Sequence, residues 1–136
     1  MLGSDINSYS MARAFYEEYH VKSVVIGKVS TGPSCNSKII DFYSYPNLDK
    51  PEVFVQVING LADKLADWKV VLLGCGDNYV EQIIKNRALL RRNVVVPYVE
   101  EGLMNDLLTK RKFYEMCDRH GIAYPPTLVY SQDMGD

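Results

Sequence analysis

The sequence predicts a doubly wound α/β fold with a mostly parallel sheet, and three observations carry that prediction. Short continuous apolar runs, Val24-Val25-Ile26, Val70 to Leu73 and Val94 to Val96, read as strands buried on both faces. Between them lie longer segments whose apolar residues recur at helical spacing. The strands also run into turns rich in Gly, Asp and Asn. Parallel strands joined through right-handed helical crossovers satisfy this alternation. The 136 residues carry 15 basic and 17 acidic side chains, a net charge of −2, and 47% of them are hydrophobic. Disorder and collagen-like repeats are excluded on that composition. A chain of this length buries roughly two-thirds of its unfolded surface, so packing is expected to hold it together.

Taken in order, Met1-Leu2 is an apolar stub that enters the turn Gly3-Ser4-Asp5-Ile6-Asn7. Ser8 is the expected cap of a helix that buries Ala12, Phe15, Tyr16 and Tyr19. After the strand at Val24, the stretch from Ser30 to Ser37 reads as loop, and Ile39 to Tyr45 as a strand closed by Pro46. Asp49 is a cap candidate with Pro51 in the first turn of the next helix. Val53, Phe54, Val57, Ile58, Leu61 and Leu65 form that helix's apolar face. The strand from Val70 runs into Gly74-Cys75-Gly76-Asp77-Asn78, and a helix is expected from about Tyr79 to Leu90. Two helical pieces follow Glu100, stopped at His120-Gly121, and Thr127 to Tyr130 reads as a last strand. A short first strand and a last one without a partner suggest a domain cut from a longer chain.

Charge and cysteines narrow the class. A net acidic chain lacks the basic face of a nucleic-acid binder, so no nucleic acid is expected as partner. The clusters Lys85, Arg87, Arg91, Arg92 and Lys110, Arg111, Lys112 read as solvated turns near helix carboxyl ends. Cys35, Cys75 and Cys117 follow no metal-binding spacing and are odd in number, which fits free thiols in a reducing, cytoplasmic setting. No apolar stretch approaches the ~20 residues of a membrane span, so no membrane is expected as partner.

In an open parallel sheet, ligands sit beyond the carboxyl ends of the strands where strand order reverses. With the order 3-2-1-4, the two glycine turns share that crevice, each with amide donors at a helix start suited to a carboxylate or phosphate. Gly3, Ser4, Asp5, Asn7, Gly76, Asp77 and Asn78 are therefore the candidate substrate-binding residues. The plain alternative is that the glycines permit tight turns and the aspartates cap helices. Two sharper readings are weaker. Val70 to Asn78 is similar to the glycine-rich motif of S-adenosylmethionine methyltransferases, but its last glycine is replaced and only 58 residues follow. Cys75 as a nucleophile needs a histidine base, and His20 and His120 both fall at expected helix ends. A non-catalytic small-molecule-binding or regulatory module also stays open.

Three segments then carry a resemblance: LGSDINSYSMARAFYEEY, VVLLGCGDNYVEQI and LLTKRKFYEMCDRHGIAYPPT. In this order they resemble the N-terminal region of ATP-grasp carboxylate-amine ligases, the D-aspartate ligase group above all. The resemblance implies a Rossmann-like pre-ATP-grasp domain over residues 1–108, with 109–136 leading into absent ATP-grasp lobes. It implies a parent enzyme that uses ATP and Mg2+ to join a small-molecule carboxylate to an amine through an acyl phosphate. Lys110 is the position that contacts the nucleotide in the wider superfamily, and the metal ligands lie in the absent lobes. The chain alone is expected to be inactive, to bind no cofactor tightly and to form a homo-oligomer.

Overall fold

The computed structural model describes residues 1–128. Two compact units form, Met1–Tyr98 and Val99–Asp136. In the first, α1 (Ile6–Tyr19) is followed by β1 (Ser23–Gly27), β2 (Ile40–Ser44), α2 (Pro51–Lys64), β3 (Val70–Val71), α3 (Asp77–Asn86) and β4 (Val94–Val95). The second holds α4 (Glu101–Leu108) and α5 (Lys110–His120). The described part of the last expected strand, Thr127 and Leu128, is not strand, and Val129-Tyr130 lie outside the described residues.

The architecture is α/β with small parallel sheets. β1 pairs with β2 from Ser23↔Ile40 to Gly27↔Ser44, and β3 pairs with β4 at Val70↔Val94 and Val71↔Val95, both parallel. The expected first strand is reduced to Leu2, which makes parallel bridges to Ile26 and to Gly74. Its amide donates to Leu73 O at 2.7 Å and its carbonyl accepts from Cys75 N at 2.8 Å. On its other side Ile26 N donates to Met1 O and Gly3 N to Ile26 O, both at 2.9 Å. One fully buried leucine thus stands between the two strand pairs.

Neighbouring strand residues point to opposite faces, and the core follows that rule at β1. Ile26 joins Leu2, Leu48, Phe54, Ile58, Leu72 and Ile83, a cluster built by α2 and α3. Val25 joins Ala12 of α1 and Ile40 instead. Side chains outside the core tie the elements together. Gln82 donates from Nε2 to Leu48 O at 2.7 Å, and Asn93 donates from Nδ2 to Ala62 O at 2.9 Å and Leu65 O at 3.1 Å. The latter adds a second donor to carbonyls at the end of α2, which also accept from Leu65 N and Trp68 N.

Several local expectations change. Asp5, not Ser8, caps α1: its carboxylate accepts from Asn7 N at 3.0 Å and Ser8 N at 3.2 Å. Ser8 is buried inside the helix and bonds Asp5 O at 2.8 Å and Ser34 Oγ at 2.9 Å. A capping side chain must lie just before the first helical turn, and Asp5 is the polar residue that does. Asp49 does not cap α2; Lys50 takes that position without a side-chain bond, while Pro51 sits in the first turn as expected. The loop after Ser30 contains a 3-10 turn, Pro33–Asn36. Lys110, Arg111 and Lys112 open α5 rather than closing a helix, and Gly121 at φ 63° stops it.

The α-amino group of Met1 donates to Val24 O at 2.7 Å, and burial lowers its pKa from 8.0 to about 6, opposed weakly by Cys75. Between those values the unfolded chain holds a proton that the folded chain has released. The stability this group contributes is therefore full above pH 8 and is lost as pH falls towards 6. Two pKa units correspond to a loss on the order of 2–3 kcal/mol. Urea midpoints should fall over this interval, with the Met1 amine titrating near 6 by NMR; an amine that titrates at its ordinary value of 8.0 contradicts the burial.

Candidate functional site

The two glycine turns lie side by side because Leu2 hydrogen-bonds to both flanks. Gly3 has φ 138°, and a Cβ there would stand 3.2 Å from the Cys75 Cβ, so the two turns are closely packed at this point. The loop before the 3-10 turn closes over the first of them: a Cβ on Gly32 would lie 2.4 Å from Ser4 O. The second turn is held by Tyr98, whose hydroxyl accepts from Gly74 N at 2.8 Å. The Tyr98 carbonyl in turn accepts from Arg87.

The two helix starts differ. At α1 the Asp5 carboxylate already occupies the amide donors, and Asn7 Nδ2 donates to it as well, at 3.2 Å. Gly76 at the start of α3 offers no side chain, and no side-chain cap is formed there. Asp77 and Asn78 stand exposed in the first turn. The expectation of donors at both turns is thus corrected: Asp5 is a cap, whereas at the α3 end no side chain caps the amides of Asp77 and Asn78, Tyr79 N donating to Gly76 O at 3.0 Å. Asp77 has no capping duty.

A groove of about 330 Å³ opens beside the α3 end, and its walls include Lys28, Asp49, Asn78, Tyr79, Glu81 and Gln82. Lys28 Nζ lies 3.1 Å from Asp49 Oδ1 and holds that carboxyl below the ordinary aspartate value. Burial raises the Tyr79 hydroxyl, opposed by a hydrogen bond from the Lys28 backbone. The groove therefore presents two ion pairs, Lys28 with Asp49 and Lys85 with Glu81. Sequence reasoning missed Lys28, Asp49 and Tyr79. Lys28 directly follows the Val24 strand, and its position beyond a strand's carboxyl end was the signal available.

Cys75 is buried and its thiol is pushed up by that burial, which keeps it protonated at neutral pH and disqualifies it as a nucleophile. Lys110 occupies the first position of α5 in the second unit and is exposed. In that unit Met104 and Cys117 are buried, and Tyr124 stacks on Tyr114 at 4.7 Å while donating to Asp118 at 3.0 Å. Among the described residues no three His, Cys, Asp or Glu side chains gather as metal ligands, and no helix is long and apolar enough to cross a membrane.

Over 137 aligned positions, 98% of its length, the chain is 34% identical to a D-aspartate ligase of Enterococcus faecium (strain Aus0004). The chain resembles D-aspartate ligase. It spans about a third of that relative, 32% of its length. The similarity to D-aspartate ligase runs through both glycine turns and through α5, because it covers nearly every residue. No family model and no solved structure matches the chain.

Proposed function

We propose that the chain is the substrate-side domain of an ATP-dependent carboxylate-amine ligase, of pre-ATP-grasp type. The observation that carries this reading is similarity to D-aspartate ligase along 98% of the chain. The strand pairs and Leu2 are then parts of one doubly wound sheet in the order β2, β1, Leu2, β3, β4, with Val25 and Ile26 facing helices on opposite sides. Residues from 109 onward lead into ATP-grasp lobes.

In such a ligase, ATP supplies the phosphoryl group that turns a carboxylate into an acyl phosphate, which an amine then attacks with loss of phosphate. What this chain does is bind and orient. The α3 end faces a substrate carboxylate with its amides, and Asp77, exposed in the first turn of α3, attracts a substrate ammonium group. Lys110 contributes charge attraction to the nucleotide phosphates.

In the full-length enzyme, Asp77→Asn is expected to raise the KM for the amino-acid substrate about tenfold without lowering the melting temperature, since a lost charge-assisted bond costs roughly 1.5–3 kcal/mol. Lys110→Ala is expected to raise the KM for ATP alone. Unchanged steady-state kinetics in both variants would return these residues to surface roles. A melting temperature that falls with the activity of Asp77→Asn would make it a structural residue.

A further inference from the structure

Gly74 is the point where the strand from Val70 becomes the second glycine turn. Along a parallel strand the amide and carbonyl of one residue face one neighbour, and those of the next residue face the other. Leu73 O and Cys75 N both bond to Leu2, so the polar groups of Gly74 face the β4 side. There the ladder runs from Val70 N to Asn93 O at 2.8 Å and from Leu72 N to Val95 O at 2.9 Å. Pro97 has no amide hydrogen and ends β4 as a ladder strand. The Tyr98 side chain takes over. Its hydroxyl accepts from Gly74 N at 2.8 Å and donates to Gly74 O at 3.5 Å, so one group holds both polar atoms of that residue. The ring packs on the cluster that contains Leu2, Leu72 and Ile83, and the Tyr98 carbonyl accepts from Arg87, which follows the last residue of α3. Tyr98 is thus bonded just before α3 begins and just after it ends.

We propose that Tyr98 is a positioning residue for the second glycine turn: its hydroxyl, acting through Gly74, sets where Asp77, Asn78 and their amides meet the amino-acid substrate. The role rests on that turn being the substrate site. Packing asks only for the ring, which phenylalanine would supply equally. The turn also has little slack, because a Cβ on Gly74 would stand 2.8 Å from Val80 N. A displacement of Gly74 is therefore passed directly to the first turn of α3, and hydrogen bonds to a substrate weaken steeply once their angles are lost.

Tyr98→Phe removes the hydroxyl and leaves the ring. In the 136-residue chain, amide exchange followed by NMR is expected to quicken about tenfold or more at Gly74, with Leu72 and Cys75 unchanged because their backbone partners remain. The amide signals of Asp77 and Asn78 should move. In the full-length enzyme the KM for the amino-acid substrate is expected to rise about fivefold, with the KM for ATP held and kcat within about twofold. Ile58→Val, a core substitution in α2, is the control: it should lower the melting temperature and leave both KM values as they were. An unchanged exchange rate at Gly74 would overturn the proposal, and so would equal effects of Tyr98→Phe and Ile58→Val on KM. If Asp77→Asn raises the KM and Tyr98→Phe does not, the turn is the substrate site and the proposal alone falls. If neither raises it, the reading of the turn falls and takes the proposal with it.

Discussion

Phe54→Ala is expected to cost about 3–5 kcal/mol of folding stability. Phe54 has no exposed surface and belongs to the cluster of Leu2, Ile26, Leu48, Ile58, Leu72 and Ile83. Truncation removes the ring's transfer free energy and leaves a cavity that α2, held at its carboxyl end by Asn93, cannot collapse to fill. Domains of this size are stable by about 5–15 kcal/mol, so the variant should lie near the edge of folding. Trp68 supplies the control: it is larger but 71% exposed, and Trp68→Ala should change stability by no more than about 0.5 kcal/mol. Urea unfolding of both variants decides the matter. A loss below about 1 kcal/mol for Phe54→Ala would mean that the cluster is not the core that holds Leu2 between the strand pairs.

Gly32→Ala is expected to disrupt the candidate site as well as the fold. Gly32 has φ 79° and ψ −176°, a region that side chains other than glycine's hydrogen essentially never occupy, at a cost of order 1–3 kcal/mol. The added Cβ would also stand 2.4 Å from the Ser4 carbonyl oxygen, a backbone atom without a flexible end that can yield. The loop must then lift away from the first glycine turn, breaking the buried contact between Ser34 Oγ and Ser8 Oγ. Destabilisation of about 3 kcal/mol or more is expected, with altered amide signals around Ser4 and Asp5 by NMR. Gly102→Ala, in α4 with open space around its Cβ, should instead be neutral or stabilising by up to about 1 kcal/mol. Equal effects of the two substitutions would show that Gly32 has no special backbone role.

The helices α2 and α5 and the strand β1 were legible because their signals are local. The apolar spacing from Val53 to Leu65, Pro51 in a first turn and His120-Gly121 as a stop belong to single segments of chain. The two glycine turns were legible as a pair, since strand order alone makes them neighbours. The capping residues were less so. Asp5, Ser8, Asp49 and Asp77 are all cap-forming types near helix starts, and which of them caps depends on where the backbone leaves the preceding segment. The structure gives that role to Asp5 alone among the four.

What the sequence by itself determined is the order of the strands and helices from α1 to α5, the buried face of α2 and the position of both turns, because hydrophobic period and turn chemistry act over a few residues. Other faces expected to be buried are open to solvent, with Tyr16 and Tyr19 of α1 and Val71 and Val95 of the short strands exposed. Only the tertiary structure decided that Lys28, Asp49 and Tyr79 share a groove with Asn78, and that Gly32 and Ser34 lock the first turn. Those residues are up to 51 positions apart in the chain, from Lys28 to Tyr79. Contact between such distant segments is set by how buried faces stack, with Leu2 pinned between two strand pairs, and no local pattern in the sequence encodes it.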